Sequence, residues 1–487
     1  MKTLSIKSLG ISLVLAAALA SCKKESEMLN PAPETSILDA TAFSTPERVL
    51  GLVNGMYTKV KDPQFYGGKY VMYGEFRGEE FLNRTANIFT GYDSWSHTLN
   101  SSSNEVQNLW TAAYGAINAI NVFLDGLAAN NAKVTPALAT QFAAEGKFLR
   151  GLSYFTLVTL YAQPYVKDGG SSAGLPLRLA GETSTAHNDL ARSSVAEVYA
   201  QILKDLDEAE AALPANYTSD LLNASRAHKN AAIALKTRVY LNMGLYDKVI
   251  EEARKIVPAT APYKAPAGVA HQLATDIQAI FASNYTSTES IFSLPMTDLN
   301  SSTGQNSLGY IFNAAPNGNA EYSLNPSGIM GNTGWRATDS RRGFLTVASG
   351  ATFLKKYNKP APYTDYVPVI RYAEVLLNYA EALAKTNNLP LATDLLNAVR
   401  HRSDASYVFP AQKTALSADL VQTIWEERRI ELLGEGFRSN DLLRNLLTIP
   451  AKGSSSLSSP AVAPSNAAYI FPLPNNEILT NKLLITK

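Results

Sequence analysis

The residues best equipped for acid–base chemistry crowd into one stretch near the C-terminal end, Glu426-Glu427-Arg428-Arg429-Ile430-Glu431. On a helix, Glu427, Arg428 and Glu431 fall three and four positions apart and pair along one side. Glycoside cleavage needs two acids facing each other across a cleft, ~5 to 10 Å apart, and spacing on one helix does not supply that pair. The expectation is instead partly buried ion pairs tying this helix to Arg371, Glu374 or Glu381, because unpaired buried charges are costly. Gly170-Ser171-Ser172-Ala173-Gly174 fits the pattern of a nucleophile elbow, but an elbow must follow a strand and open a helix. This one follows Lys167-Asp168-Gly169 and runs into Leu175-Pro176, so it reads as a flexible turn. The five histidines, His97, His187, His228, His271 and His401, are isolated in sequence and offer no metal site. No phosphate-binding or dinucleotide loop stands at a strand-to-helix turn, and no cofactor is expected.

The aromatic residues carry more information. Trp110 and Trp425 lie on amphipathic helical patterns, where core packing is the default. Trp95, in Tyr92-Asp93-Ser94-Trp95-Ser96-His97, and Trp335, in Asn332-Thr333-Gly334-Trp335-Arg336, lie in polar loops instead. An exposed aromatic ring stacks on the C–H face of a sugar, while Asn, Asp or Arg nearby bonds its hydroxyls. Loop packing is the alternative use of the same rings. Tyr66, Arg77, Tyr92, Asn100, Tyr310 and Tyr322 are secondary candidates in the same two stretches, with a salt bridge the rival role for Arg77.

These residues sit in a chain of 487, with 43 Lys and Arg against 42 Asp and Glu. So even a balance lacks the basic footprint that drives binding to a phosphate backbone, which argues against nucleic acid. Charged residues make up 17%, below the roughly 25% usual for soluble domains, so the surface should be polar but weakly charged. The single cysteine, Cys22, excludes an intramolecular disulfide framework and a thiolate cluster.

Its position suggests another use. Lys2 and Lys7 precede an apolar run from Leu9 to Ala20, the layout of a secretory signal. Leu19-Ala20-Ser21-Cys22 resembles the bacterial lipobox, in which cleavage leaves an acylated N-terminal cysteine. Several acyl chains on one residue exceed the two-signal threshold for stable anchoring. The expected organisation is a signal peptide over 1–21, a lipidated flexible tether over 22–45 and a single domain over 46–487. No later window reads as long and apolar enough to cross a bilayer.

From Pro46 onward the pattern is helical. Apolar residues recur at three- and four-residue spacing in the stretch opened by Pro46, and in 104–127, 135–161, 193–213, 224–243 and 245–257. The same holds for 369–386, 390–401, 417–433 and 437–446. The stretch 231–257, with Tyr240, Gly244 and Tyr246, looks like a tetratricopeptide-type helix pair, and 373–384 with 391–399 has the same shape. The fold class is therefore mainly α, a scaffold of tetratricopeptide-like helix pairs. Two long interruptions, 63–103 and 258–368, are rich in Gly, Asn, Ser, Pro and aromatics, with short strand-like pieces such as 290–296. Loops this long are usually functional, and the aromatics argue for order.

Taken in order, several stretches resemble the SusD/RagB family of outer-membrane nutrient-uptake lipoproteins. Arg150-Gly151-Leu152-Ser153-Tyr154-Phe155-Thr156-Leu157-Val158 is similar to the family's Arg-x-x-x-Tyr-Phe-x-Leu-Val helix. Arg371-Tyr372-Ala373-Glu374-Val375-Leu376-Leu377-Asn378-Tyr379-Ala380-Glu381-Ala382 and its sequel at 396–402 match a second helix. Glu426 to Leu432, then Glu435-Gly436-Phe437-Arg438 and Asp441-Leu442, match the most characteristic segment, and Phe471-Pro472-Leu473-Pro474 with Glu477 and Asn481 resembles the closing motif. Asp339-Ser340-Arg341-Arg342 resembles a further, structural segment. The resemblance implies a non-catalytic surface lipoprotein that acts as a lid over a SusC-like TonB-dependent transporter. Such a protein captures oligosaccharide or, in the RagB branch, peptide. A helical-repeat scaffold with protein partners alone and a secreted hydrolase are the rival readings.

Overall fold

The computed structural model describes residues 39–130, 133–282 and 286–485. The expected signal segment, Cys22 and most of the tether lie outside the described residues. The packed region begins before the expected boundary at 46: the Phe43 ring lies 6.1 Å from that of Phe123 and sits against Gly126.

Helix α1 spans Pro46–Val60, capped by the Thr45 side chain, with Val49, Val53, Met56 and Val60 buried as one stripe. There follow α2 (Lys69–Phe76), α3 (Tyr92–Ser96), α4 (Asn104–Ala129), α5 (Pro136–Tyr161), α6 (Val195–Ala212), α7 (Lys229–Asn242) and α8 (Tyr246–Ala253). The second half carries α9 (Tyr372–Lys385), α10 (Leu389–Ser403), α11 (Ser417–Glu431), α12 (Arg438–Leu443) and α13 (Asn475–Thr480). Helix α6 opens on a full capping box, Ser194 with Glu197. Helices α4 to α8 pack each on the next, α7 and α8 lean on α9, and α9 packs on α10 and α11. Gly244, at φ +69°, makes the left-handed turn between α7 and α8, and so short a link folds the pair back on itself. The scaffold is thus the mainly helical, paired arrangement expected.

Helix α4 corrects one expectation, because it runs for 26 residues and holds an 18-residue window of mean hydropathy 1.2, long and apolar enough to cross a membrane. Here Val106, Leu109, Ile117, Ile120 and Phe123 are buried, and the helix packs against α1 and α5 as a core element.

Four two-stranded antiparallel sheets lie among the described residues. β1 (Phe81–Asn83) pairs with β3 (Tyr322–Leu324), and β2 (Ser290–Leu294) with β6 (Val367–Arg371). β4 (Leu345–Ala348) pairs with β5 (Ala351–Leu354), and a small ladder joins 452–453 to 458–459. The β1–β3 pair, with Phe81 opposite Leu324 and Asn83 opposite Tyr322, fastens the two loop-rich regions to each other. One apolar cluster runs from Val49 to Phe471, and a satellite holds Leu442, Leu443, Ile449, Val462 and Tyr469.

Two helical readings change. Helix α2 lies inside the stretch read as loop; it is buried on nearly every side, so its sequence shows no apolar stripe. The helix expected over 224–243 is broken, because Arg226 and His228 are extended and Arg226 reaches back to grip Glu145 at 2.8 and 2.9 Å.

Candidate functional site

The acidic stretch on α11 lies at the centre of a buried ion cluster. Glu427 accepts hydrogen bonds from Arg341 at 2.6 Å and Arg400 at 2.7 Å. Glu431 accepts from Arg341 at 2.9 Å, Arg371 at 3.0 Å and Arg402 at 2.5 Å. Glu289 takes Arg371 and Arg402, Glu435 takes Arg371 and Lys356, and Asp339 takes Arg341. Burial would push the Glu431 carboxyl up, yet Arg402, Arg371 and Arg341 together hold it well below the usual carboxylate range. Five carboxylates thus meet five cations with no exposed face, a stitch between α11, α10, β6 and the 339–342 turn. Arg371 is a partner as expected, while the other two acids go elsewhere: Glu374 to Arg238 and Glu381 to Arg444. Arg428 instead donates to Asp441 and Asn378. Acids buried in this way, each bound by two or more cations, are closed off from a substrate and poorly placed for general acid–base work.

The Gly170–Gly174 segment is a turn after the 3-10 turn Tyr165–Lys167, and the Ser172 hydroxyl donates to Asp168. It does not join a strand to a helix. The histidines are less scattered than in sequence: the rings of His228 and His271 stack 5.2 Å apart, both buried.

The aromatic candidates divide sharply. Trp95, a candidate for ligand contact with loop packing as its alternative, is 0% exposed, and its indole N–H donates to the Phe81 carbonyl at 2.8 Å. The cause is Glu105 on α4, which accepts the backbone N–H groups of Asp93 and Ser94 at 3.1 Å and so pins α3 with Trp95 inward. Burial pushes the Glu105 carboxyl up to about 7. Trp335 is 2% exposed and its ring is covered by the Arg342 guanidinium at 4.1 Å, so it too offers no face to a sugar. Tyr322 lies stacked on Phe76 at 3.7 Å, and buried Tyr66 accepts a hydrogen bond from Thr156. Buried Arg77 has no carboxylate partner among the described residues: it donates to the carbonyls of Ala468 and Tyr469 and covers the Phe471 ring. Burial pulls its guanidinium down to about 10. Five of the eight sequence candidates are therefore interior residues. Tyr92, Asn100 and Tyr310 reach the surface, Tyr310 with its ring edge-on to Tyr363.

The exposed aromatic in this region is one that the sequence reading passed over. Phe89 is 57% exposed and Ile88 48%, side by side on a 3-10 turn over Ile88–Thr90. The Asn87 side chain accepts the Phe89 N–H at 3.0 Å, and Lys69 on α2 donates to the Phe89 carbonyl at 2.8 Å. Glu321 clamps the turn from below, accepting from Thr85 at 2.7 Å and from Thr90, and it also takes the Asn319 amide at 2.8 Å. A short turn at Gly304–Asn306 contacts the Ile88–Thr90 turn, and Gln305 and Asn319 are exposed. A fastened apolar tip is thus framed by amides from the second loop region. The available signal was an apolar pair inside Asn87-Ile88-Phe89-Thr90-Gly91, an otherwise polar loop.

Comparison with known proteins fits this architecture. Residues 29–241 match a family described as SusD-like, starch-binding and associating with the outer membrane, and residues 353–486 match the SusD family. A SusD superfamily protein from Bacteroides fragilis shares 30% identity, covering 91% of this chain and 99% of its own, with a TM-score of 0.82. This chain belongs to the SusD family. SusD-like protein P2 of Formosa agariphila is 26% identical, over 91% of this chain and 92% of that one. A laminarin-binding SusD-like protein, at 21% identity and a TM-score of 0.69, shares the SusD fold over 91% of this chain and 99% of its own. Within this SusD-family chain, the motifs that resemble the family, 371–382 and 426–438, contribute Arg371, Glu427, Glu431 and Glu435 to the buried ion cluster, whereas the exposed tip at Phe89 lies in loops outside them.

Proposed function

We propose that this protein is an outer-membrane lipoprotein, anchored through Cys22 at the cell surface, that binds a glycan without cleaving it. It passes the glycan to a SusC-like TonB-dependent transporter, over which it closes as a lid. The observation that carries the reading is the Phe89 tip: an exposed ring on a clamped turn, with the exposed amides Asn319 and Gln305 on the neighbouring loops, in a chain of the SusD family. The ring offers stacking to the C–H face of a sugar, and the amides offer donors and acceptors to its hydroxyls. The family description as starch-binding and the laminarin-binding neighbour support glycan as the ligand class. An open surface of this kind suits affinities of roughly µM to mM, about −8 to −4 kcal/mol.

The test is native electrophoresis through gels holding starch, laminarin and other polysaccharides, with peptide mixtures run in parallel by calorimetry. Retardation by a glycan that stays intact supports the reading. Heat from peptides alone, or glycan shortened with time, sinks it. Co-purification with a TonB-dependent barrel from the same cells tests the partner.

A further inference from the structure

On the flank of α4, Tyr114 and Asn118 lie one helical turn apart and wall a recess of about 190 Å³, closed by Arg178, Glu182, Asn188 and Glu477. The recess shares Arg178, Glu182 and Asn188 with a larger cavity of about 850 Å³ beneath the 177–190 segment. Ion pairing here is unlike that of the buried cluster. The Arg178 guanidinium stands 3.8 Å from Glu182 and 3.6 Å from Glu477, because it donates instead to the carbonyls of His187 at 3.2 Å and Asn188 at 2.6 Å.

Two carboxylates are thereby left with acceptor capacity. Glu477 receives only long bonds, from the Trp110 indole at 3.3 Å and the Asn481 amide at 3.2 Å. The Glu182 carboxylate accepts no hydrogen bond among the described residues, while its backbone is fixed in place by Asn118 at 2.9 and 2.7 Å. Beside them the Tyr114 ring is held rigid, its hydroxyl donating to the Pro176 carbonyl at 2.9 Å and the Trp110 ring packed 4.7 Å away. An aromatic wall for C–H groups, two acceptors for O–H donors and an amide fit a polyhydroxylated ring. Arg178 offsets one of the two carboxylates, and the net negative charge that remains disfavours an anionic sugar.

We propose that this recess is a second saccharide-binding site, taking one unit of a neutral glycan apart from the Phe89 tip. The ligand class rests on the glycan reading above. Ser184 lines the recess and is exposed, so Ser184→Trp fills it without touching the core, and Glu182→Gln keeps the shape while removing the charge.

The experiment titrates the full-length lipoprotein in detergent with a laminarin-derived hexasaccharide, and with the oligosaccharide of whichever neutral glycan retards it. Two sites per chain are expected. Ser184→Trp removes one, Phe89→Ala weakens the other at least about fivefold, and Glu182→Gln weakens the recess site about tenfold. If Ser184→Trp and Glu182→Gln change neither stoichiometry nor affinity while Phe89→Ala weakens binding, the recess is not a site and the glycan reading stands. If the unsubstituted protein binds none of the sugars, the glycan reading fails and this inference falls with it.

Discussion

Arg371, the last residue of β6, donates to Glu431, the last residue of α11, at 3.0 Å, and neither side chain is more than 1% exposed. The bond ties the end of a strand to the end of a helix through the interior. Removing the cation leaves Glu289, Glu431 and Glu435 each short of a partner. Arg371→Met should lower the unfolding free energy by about 3–5 kcal/mol, as for other broken buried pairs. Urea unfolding followed by circular dichroism measures it; a loss below about 1 kcal/mol would show that the cluster contributes little.

Phe89→Ala should separate binding from folding. The ring is on the surface, so stability should stay within about 0.5 kcal/mol of the parent. Glycan affinity should fall at least about fivefold, the loss of roughly 1 kcal/mol of stacking. Unchanged retention in affinity gels would remove the tip from the site.

Trp95→Ala should do the reverse. It empties a fully buried indole position and breaks the bond to Phe81, for a loss of about 3–5 kcal/mol in stability. A variant that unfolds at the parental urea midpoint yet loses glycan would return Trp95 to the binding surface.

The stacked His228 and His271 set a pH dependence. Burial holds His228 down to about 4 and His271 to about 3, the latter helped by its neighbour. Both folded values lie below the unfolded value of ~6.5, so the unfolded chain binds more protons. Their stability contribution is complete above about pH 6.5 and is lost as pH falls toward about 4. In a series of urea melts between those limits, His271→Phe should flatten the slope of stability against pH, whatever its effect at neutrality. A slope as steep as the parent's would refute the assignment.

Gly51 and Gly55 lie on the exposed side of α1, and a methyl group at either meets nothing within 4 Å. Gly51→Ala and Gly55→Ala should each stabilise the protein by about 0.5–1 kcal/mol, since alanine loses less backbone freedom in a helix. A thermal midpoint that fails to rise in either variant would count against an unstrained α1 at that position.

The helices were legible in the sequence because burial of one face writes a 3.6-residue period into the chain, as in Val49, Val53, Met56 and Val60 of α1. The ion cluster was legible in kind, since charges at helical spacing in otherwise apolar motifs must pair, and Arg371 was named among the partners. The further partners of Glu427, Glu431 and Arg371 were not, because residues such as Glu289 and Arg341 come from loops whose paths no local pattern records. Helix α2 was hidden for the opposite reason: buried all round, it has no stripe. The aromatic surface was decided wholly by tertiary structure. Trp95 and Phe89 lie six residues apart in the same polar loop and look alike as candidates. What turns one inward and the other outward is Glu105 on α4 capping one turn, and Lys69 and Glu321, from α2 and the edge of β3, clamping the other. Composition determined that this chain has rings to offer a ligand; which ring meets solvent depends on hydrogen bonds to residues up to 236 positions away.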